Sequence, residues 1–594
     1  MERRVLLAIF LAFLVLYVWQ AVFVKPVPNP APGSASATAT ASTAPGLASA
    51  TATASTTAGS QGGIGGTAQQ AVIPNVPAKP SAPLAAALVA DTTEHDVRVE
   101  TRDVIAVFTN RGARLKSWRL KHYLDQQKQP QELIEHDLPS DPLPFTLTAG
   151  NDTTTAALNG GLYTISGAPA TASDGPVDLR FEYRDSAGVH AIKEFHLDPA
   201  SYIFTFRATI TDNDKPITPS IVWGPAIGDV GEVSRYTTKS EGILLQDGKV
   251  VRLAAKDIAK QPTYDGAYGY AGVDDNYFLT AALGLGAVKV AFQPVSIPPP
   301  AGSKDAAREL MSFSIEPRQP AALLKFFAGP KDFDVLSAID TDVAKAINFG
   351  MFTVIVVPLL KSLKWVNSYV GNYGWAIIIL TFFINLILFP LRHKSVVSMR
   401  KMQEIQPEVK AIQERYSKLK ATDPAKQKMN TEMMALYKEK GVNPASGCVP
   451  MLLTMPFIFA FYALLSTAIE LRGAPFIWWI HDLSSHDVYF VTPILMGISQ
   501  IWQQRLAPAA GMDPIQQKMT MLMPVFFTFL FLWYPAGVAL YWLVNNLWAI
   551  GQQYLTNYMI GPPKIRAAVG GSAAERRMKR VGVGKTDAAA RDTQ

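Results

Sequence analysis

From Val370 to Leu555 the chain is a succession of uncharged apolar stretches, separated by loops that hold nearly all the charge. Hydrocarbon offers no water to a backbone amide, so stretches of this length must fold as helices that satisfy their own hydrogen bonds. The stretches are residues 370–391, 447–469, 489–504, 519–534 and 536–557, each expected to span the membrane. The stretch 489–504 is barely long enough, which implies little tilt or a locally thin bilayer. Loop charge sets the orientation. Arg392 to Lys440 holds twelve Lys or Arg against six Asp or Glu, which places residues 392–446 in the cytosol. Residues 470–488 carry Glu470, Arg472, Asp482 and Asp487, net −2, and suit the outer side. The loop 505–518 then lies in the cytosol, as does the basic tail 558–594.

The N-terminal half has a different character. After the charged start Met1–Arg4, the uncharged run Val5–Val24 predicts an uncleaved signal anchor over residues 1–25, which brings the expected spans to six with both termini inside. No charge occurs from Pro26 to Ala78, only Ala, Thr, Ser, Gly and Pro with a few other uncharged residues, so 26–89 reads as a disordered linker. Residues 90–335 alternate apolar and polar positions in strings such as "DVRVETRDVIAVFTN", "VDLRFEYRD" and "YIFTFRATITD". Many short strands between Asp, Gly, Asn and Pro turns predict a β-sandwich, finished by a helix near Ala321–Phe327. This domain holds 25 basic and 32 acidic side chains, so the overall +7 hides an acidic outer domain and basic inner segments. Residues 336–369 contain Pro358, Lys361, Lys364 and Trp365 within apolar sequence, the pattern of an amphipathic helix lying on the bilayer.

Catalytic chemistry is hard to place. The string "GVGKT" at Gly582–Thr586 lacks the first glycine of a phosphate loop and follows no strand. The histidines of the β-domain are scattered, and His481 and His486 are poorly spaced for a metal. The single Cys448 excludes an intramolecular disulfide. No catalytic group, metal, cofactor or DNA contact is expected. The spans do carry polar side chains. Thr381 and Asn385 are four apart on one helical face, with Arg392 seven further on. Thr454, Gln500, Asn545 and Asn546 mark other spans. Interhelical hydrogen bonds worth about 0.6–2 kcal/mol each would account for any one of them. Polar groups on several spans together favour a wet cavity. In the basic loop, Met399, Met402, Ile405, Val409 and Ile412 form one helical stripe, and Ala421–Pro424 supplies a turn before a second helix ending at Gly441. A helical hairpin results. Either it is solvated coiled coil, or Met399, Met402, Lys410, Arg415 and Met433 contact a ribosome, a targeting receptor or a nascent chain.

The strings "EMMALYKEKGVNPASGCVPMLLTMPFIFAFY", "ELRGAPFIWWIHDLSSHD", "PILMGISQIWQQ" and "DPIQQKMTMLMPVFFTFLFLWYPAGVALYWLVNNL", with "VGNYGWAIIILTFFINLILFPL", cover most of residues 370–557. They closely resemble the YidC/Oxa/Alb family of membrane protein insertases, Gram-negative type. The resemblance implies a polytopic α-helical protein of the bacterial inner membrane carrying a periplasmic β-supersandwich. It implies insertion of newly made membrane proteins, alone or with the Sec translocon, through a hydrophilic groove open to cytosol and lipid. Groove positions implied by the resemblance are Thr381, Asn385, Arg392, Thr454, Ile458, Gln500, Leu530, Trp542 and Asn545. Many family members place Arg or Lys where this chain has Asn385, and Arg392 stands as the nearest replacement cation. A small-solute transporter or channel is the rival reading, weakened by the lack of an internal repeat of spans.

Overall fold

The computed structural model describes residues 85–561, except 126, 136–141, 168–174, 227–239, 298–307, 417–424, 443–448 and 507–513. The expected first span, most of the linker, the tail beyond residue 561, Cys448 and the Ala421–Pro424 turn lie outside the described residues.

Residues 87–330 form a β-sandwich. Alternation drives it: Val177–Asp185 and Val189–Leu197 bury every second side chain and pair antiparallel from Val177↔Leu197 to Arg184↔His190. The smaller sheet holds four strands, Asp96–Glu100, Val104–Thr109, Arg114–Leu124 and Pro130–Glu132. The larger is a 14-stranded antiparallel sheet whose path runs from Ala87–Val89 to the edge strand Lys249–Leu253. Aromatic rings join the two sheets. Phe108 of the small sheet lies 4.8 Å from Phe195 of the large one, and Trp118 lies 4.7 Å from Phe204. Burying each such ring stabilises the fold by roughly 1.5–3 kcal/mol. One core residue is a lysine. Lys193 is fully buried, and its Nζ donates to the carbonyls of Gly112 at 2.6 Å, Phe145 at 2.7 Å and Ala113 at 3.4 Å. Burial pushes its ammonium well below the usual lysine range, and the three acceptors oppose that push.

The helix expected near Ala321–Phe327 is a strand, Leu324–Pro330, paired with Ile203–Asp212 on one side and Phe278–Ile297 on the other. It is central and buried on both faces, with Phe326 and Phe327 each at 0% exposure, so its apolar run lacks the alternation that marks a half-buried strand. Ala321 has φ 53°, which no helix accommodates. Two short helices, α1 (Asp152–Gly160) and α2 (Ala255–Ile258), interrupt the strands, and α3 (Phe333–Ile339) and α4 (Thr341–Ala344) follow them.

Eight helices complete the described chain: α5 (Thr353–Val370), α6 (Tyr373–Glu404), α7 (Gln406–Arg415), α8 (Ala425–Glu439), α9 (Val449–Thr467), α10 (Val491–Leu506), α11 (Pro514–Phe531) and α12 (Ala536–Ile560). Among the described residues, two stretches could by length and composition cross a bilayer, Gly350–Val370 and Tyr373–Met402, while Met455–Thr467 and Met521–Phe531 are shorter apolar helices. The helix expected to end at residue 391 instead continues without a break to Glu404, so the basic hairpin begins as an extension of α6. Helices α10 and α11 approach closely at Gly497, where a Cβ would stand 1.9 Å from the Thr528 hydroxyl.

Helix α5 passes the length test for a span; it packs against α6 and α9, and Lys364 ties it to the segment that follows the sandwich. Val356, Leu359, Leu360, Leu363 and Val366 form its buried face. Lys364 Nζ lies 2.5 Å from Asp334 and 3.3 Å from both Asp332 and Glu470. Burial pulls the Lys364 ammonium down, but the bond to Asp334 and the charge of Glu470 hold it above its usual range. Burial pushes the Glu470 carboxyl up. Next to it, Arg472 donates to the Leu124 carbonyl at 2.8 Å and to Gln131 Oε1 at 2.7 Å, while Asn276 Nδ2 donates to the Ser466 carbonyl at 3.3 Å. The sandwich is thereby joined to the end of α9.

Candidate functional site

Helix α6 places Thr381, Asn385 and Arg392 on one line because four and seven residues make one and two turns. Asn385 Nδ2 donates to the Thr381 carbonyl at 2.8 Å, and Arg392 Nη1 donates to Asn385 Oδ1 at 2.6 Å. Thr381 and Asn385 are buried, and the Thr381 hydroxyl has no partner among the described residues. Opposite them stand Phe457, Ile458 and Phe461 of α9, with Tyr541 and Asn545 of α12. The space enclosed is about 10 Å³, enough for one water. Phe461 and Tyr541 close one end by stacking at 4.4 Å. Among the described residues the arrangement is a narrow polar seam, where the family resemblance implies a groove.

Five of the nine expected groove residues meet here: Thr381, Asn385, Arg392, Ile458 and Asn545. The side chain of Thr454 lies outside the described residues. Gln500 lies away from the seam, half-buried, with its Oε1 unpartnered among the described residues. Trp542 joins an aromatic cluster instead, 5.8 Å from Phe527 and 5.2 Å from Phe531, and Leu530 packs against the same core outside the seam. Asn546 does interhelical work, its Nδ2 donating to Ser499 Oγ at 3.1 Å and the Met496 carbonyl at 3.3 Å.

Sequence reasoning missed a second polar cluster at the far end of α6. His393 Nδ1 lies 3.3 Å from Thr556 Oγ1. Arg400, buried, donates to the Gly561 carbonyl and to Asn557 Oδ1. Gln552 is buried beside them in sequence, its Nε2 unpartnered among the described residues. The signal was present: His393 and Arg400 are seven apart on α6, and Gln552 and Thr556 four apart on α12.

In the hairpin, Ile405, Val409 and Val442 are buried together, with Met402, Met433, Leu436 and Tyr437 packed around them. The apolar stripe therefore closes the hairpin on itself, and Met402 and Met433 belong to that small core. The side chain of Met399 lies outside the described residues. Lys410 and Arg415 are exposed, at 3.9 Å from Glu414 and 3.4 Å from Glu432, with Met434 also exposed. Gly441, at φ 64°, ends α8 with Val442 N–H donating to the Tyr437 carbonyl at 2.9 Å.

On the other side, the loop after α9 is held by Asp487. Its carboxylate accepts from the Trp479 indole at 2.9 Å, from the Tyr489 amide at 3.0 Å, and from both the amide and hydroxyl of Thr492 at 2.7 Å. Burial raises this carboxyl, and the Thr492 and neighbouring bonds outweigh it and hold the group below its ordinary range. No cluster of three or more His, Cys, Asp or Glu is placed to hold a metal among the described residues.

Residues 365–562 match the 60Kd inner membrane protein family, and residues 96–362 match the YidC periplasmic domain. The membrane protein insertase YidC of Geobacter metallireducens is 35% identical over 569 residues, covering 94% of this chain and 99% of that protein. That of Geobacter sulfurreducens is 39% identical over 390 residues, covering 64% of this chain and 71% of the relative. Among solved structures, an active YidC insertase with its first transmembrane domain resolved aligns over 80% of this chain and 95% of that one, with 18% identity and a TM-score of 0.33.

Proposed function

This chain belongs to the family of YidC membrane protein insertases, and we propose that it works by opening the Thr381–Asn385–Arg392 seam to a client's polar end. Its function is the insertion of membrane proteins, and its site of action is the inner membrane, with the β-rich domain in the periplasm. The transporter reading is not favoured, since insertase relatives match nearly the full length.

Energetics explain what a seam has to do. Twenty apolar residues gain roughly 6–12 kcal/mol on entering a bilayer, at about 0.3–0.6 each. One charged residue at the centre costs about 2.5–3.5 kcal/mol. Insertion of a client helix is downhill, and the polar flank that must cross is the obstacle. A line of hydroxyl, amide and guanidinium groups gives that flank partners part of the way. Arg392 has five donors and one acceptor among the described residues, so four remain for a carboxylate entering from the cytosol. Phe461 and Tyr541 keep the outer end shut while α6 and α9 part on the inner side.

In this reading the chain has six spans with both ends in the cytosol, the first formed by residues 1–25. Lys410, Arg415 and Met434 on the hairpin's outer face receive the ribosome, a targeting receptor or the nascent chain. The periplasmic domain and the spans present a face to the Sec translocon. The observation that carries the proposal is the Arg392–Asn385–Thr381 line, which runs from a half-buried guanidinium to a buried hydroxyl and is only partly satisfied. Site-directed crosslinking of a stalled single-span client tests it. Crosslinks are expected at Asn385 and Asn545 and weak at Trp542; crosslinks confined to the hairpin would remove the seam from the route.

A further inference from the structure

We propose that the cleft between the sandwich edge and the start of α5 holds an anionic phospholipid of the periplasmic leaflet. The cleft has a volume of about 590 Å³, within the range of small-molecule sites. Its walls are Val250, Phe333, Ala344, Ile347, Phe349 and Val357, and its polar positions are Arg252, Lys345, Ser337, Thr341, Asn348 and Thr353. Both charged lining groups are cations; no carboxylate lines the cleft among the described residues.

Both cations keep donors to spare. Arg252 donates to Asp274, a carboxylate shared with Lys331 at 2.9 Å, and to the Ala346 carbonyl, which occupies two of its five donors. Lys345 donates to the Gly248 carbonyl at 3.1 Å and pairs with Asp342 at 2.6 Å, where both side chains are about half exposed, a setting in which an ion pair exchanges readily for another anion. A third cation stands at the wall: Lys361 Nζ lies 5.8 Å from the Phe333 ring centroid.

The occupant follows from what lies beside the mouth. Val354, Pro358, Lys361, Trp365 and Tyr369 form the outward face of α5, with Val354 84%, Trp365 63% and Tyr369 75% exposed. Aromatic rings and a lysine on one helical face mark a helix seated at headgroup level. Thr353 and Val357, which line the cleft, are one turn or less from Val354 on this helix. A lipid under α5 therefore has its phosphate within reach of Arg252 and Lys345 and an acyl chain within reach of Val357 and Phe349. The proposal rests on the periplasmic placement of the β-rich domain given above and on α5 lying on the bilayer, as the pattern of residues 336–369 indicates.

The test uses the full-length protein in nanodiscs containing phosphatidylglycerol or phosphatidylethanolamine analogues with a diazirine near the glycerol. Phosphatidylglycerol is expected to label Ser337, Thr341 and Asn348 about fivefold more than phosphatidylethanolamine, from attraction of about one basic residue. Lys345→Glu should bring the two lipids level. Ser337→Trp, or Thr341→Trp at an exposed position should the first fail to fold, should abolish cleft labelling while Val354 stays labelled. Equal labelling by both lipids, labelling undiminished by the tryptophans, or crosslinks from the cleft to a stalled client instead would overturn it. Absence of label at Val354 and Trp365 would show that α5 leaves the bilayer; label there with an unlabelled cleft would sink the lipid site alone.

Discussion

Two basic side chains, one buried in the sandwich and one half-buried in the helical region, are treated in opposite ways. Lys193 has three carbonyl acceptors for its three donors, while Arg392 has one acceptor for five. A fully satisfied buried charge fixes structure, because moving it strands every partner. A partly satisfied one keeps donors in reserve. The sandwich has spent its polar groups on architecture, and the seam has kept some for a visitor.

The largest expected effect breaks the first half of that contrast. Lys193→Met strands the Gly112 and Phe145 carbonyls and should destabilise the protein by about 3 kcal/mol, read as a lowered Tm of the full-length chain in detergent. An unchanged Tm would mean that the lysine is not structural. Arg392→Met should leave Tm nearly unmoved but slow insertion of a client with an acidic translocated end about tenfold, the loss of one charge-assisted bond of about 1.5 kcal/mol. A fall in Tm matching the Lys193 variant would erase the distinction. Asn385→Leu should slow the same client about three- to fivefold, the scale of a hydrogen bond in a membrane, and spare a purely apolar client. Slowing both alike would speak for packing. Met434→Ser, on the exposed face of the hairpin, should weaken client capture about twofold with stability shifted by less than about 0.5 kcal/mol. The same weakening from Met402→Ser without loss of hairpin helicity would place the capture surface elsewhere.

How much could be read beforehand depended on whether a signal was local. Alternation in "VDLRFEYRD" announces a strand half buried in a sheet, and the strand Val177–Asp185 is there. The central strand Leu324–Pro330 buries both faces, so periodicity could not separate it from a helix. The line of Thr381, Asn385 and Arg392 was legible because helical spacing alone brings it together. Its opposite wall was not: Phe457, Phe461 and Tyr541 are apolar or aromatic residues among many, and only tertiary packing selects them. Trp542, one residue from Tyr541, faces Phe527 and Phe531 instead, a rotation of about 100° that similarity to a family does not resolve. The width of the seam was equally out of reach, being a property of packing and not of spacing.

The hold of Arg472 on the sandwich has a consequence for anyone who shortens this protein. Its guanidinium is bonded to Leu124 and Gln131 and lies 5.2 Å from the Phe278 ring, while Asn276 serves the last turn of α9. Excising the periplasmic domain would bare a cation, a carbonyl and the Lys364–Glu470 pair at the very end of a helix that walls the seam. A truncated chain is then a loosened machine, and its defects would report the lost bracing together with whatever the missing domain does.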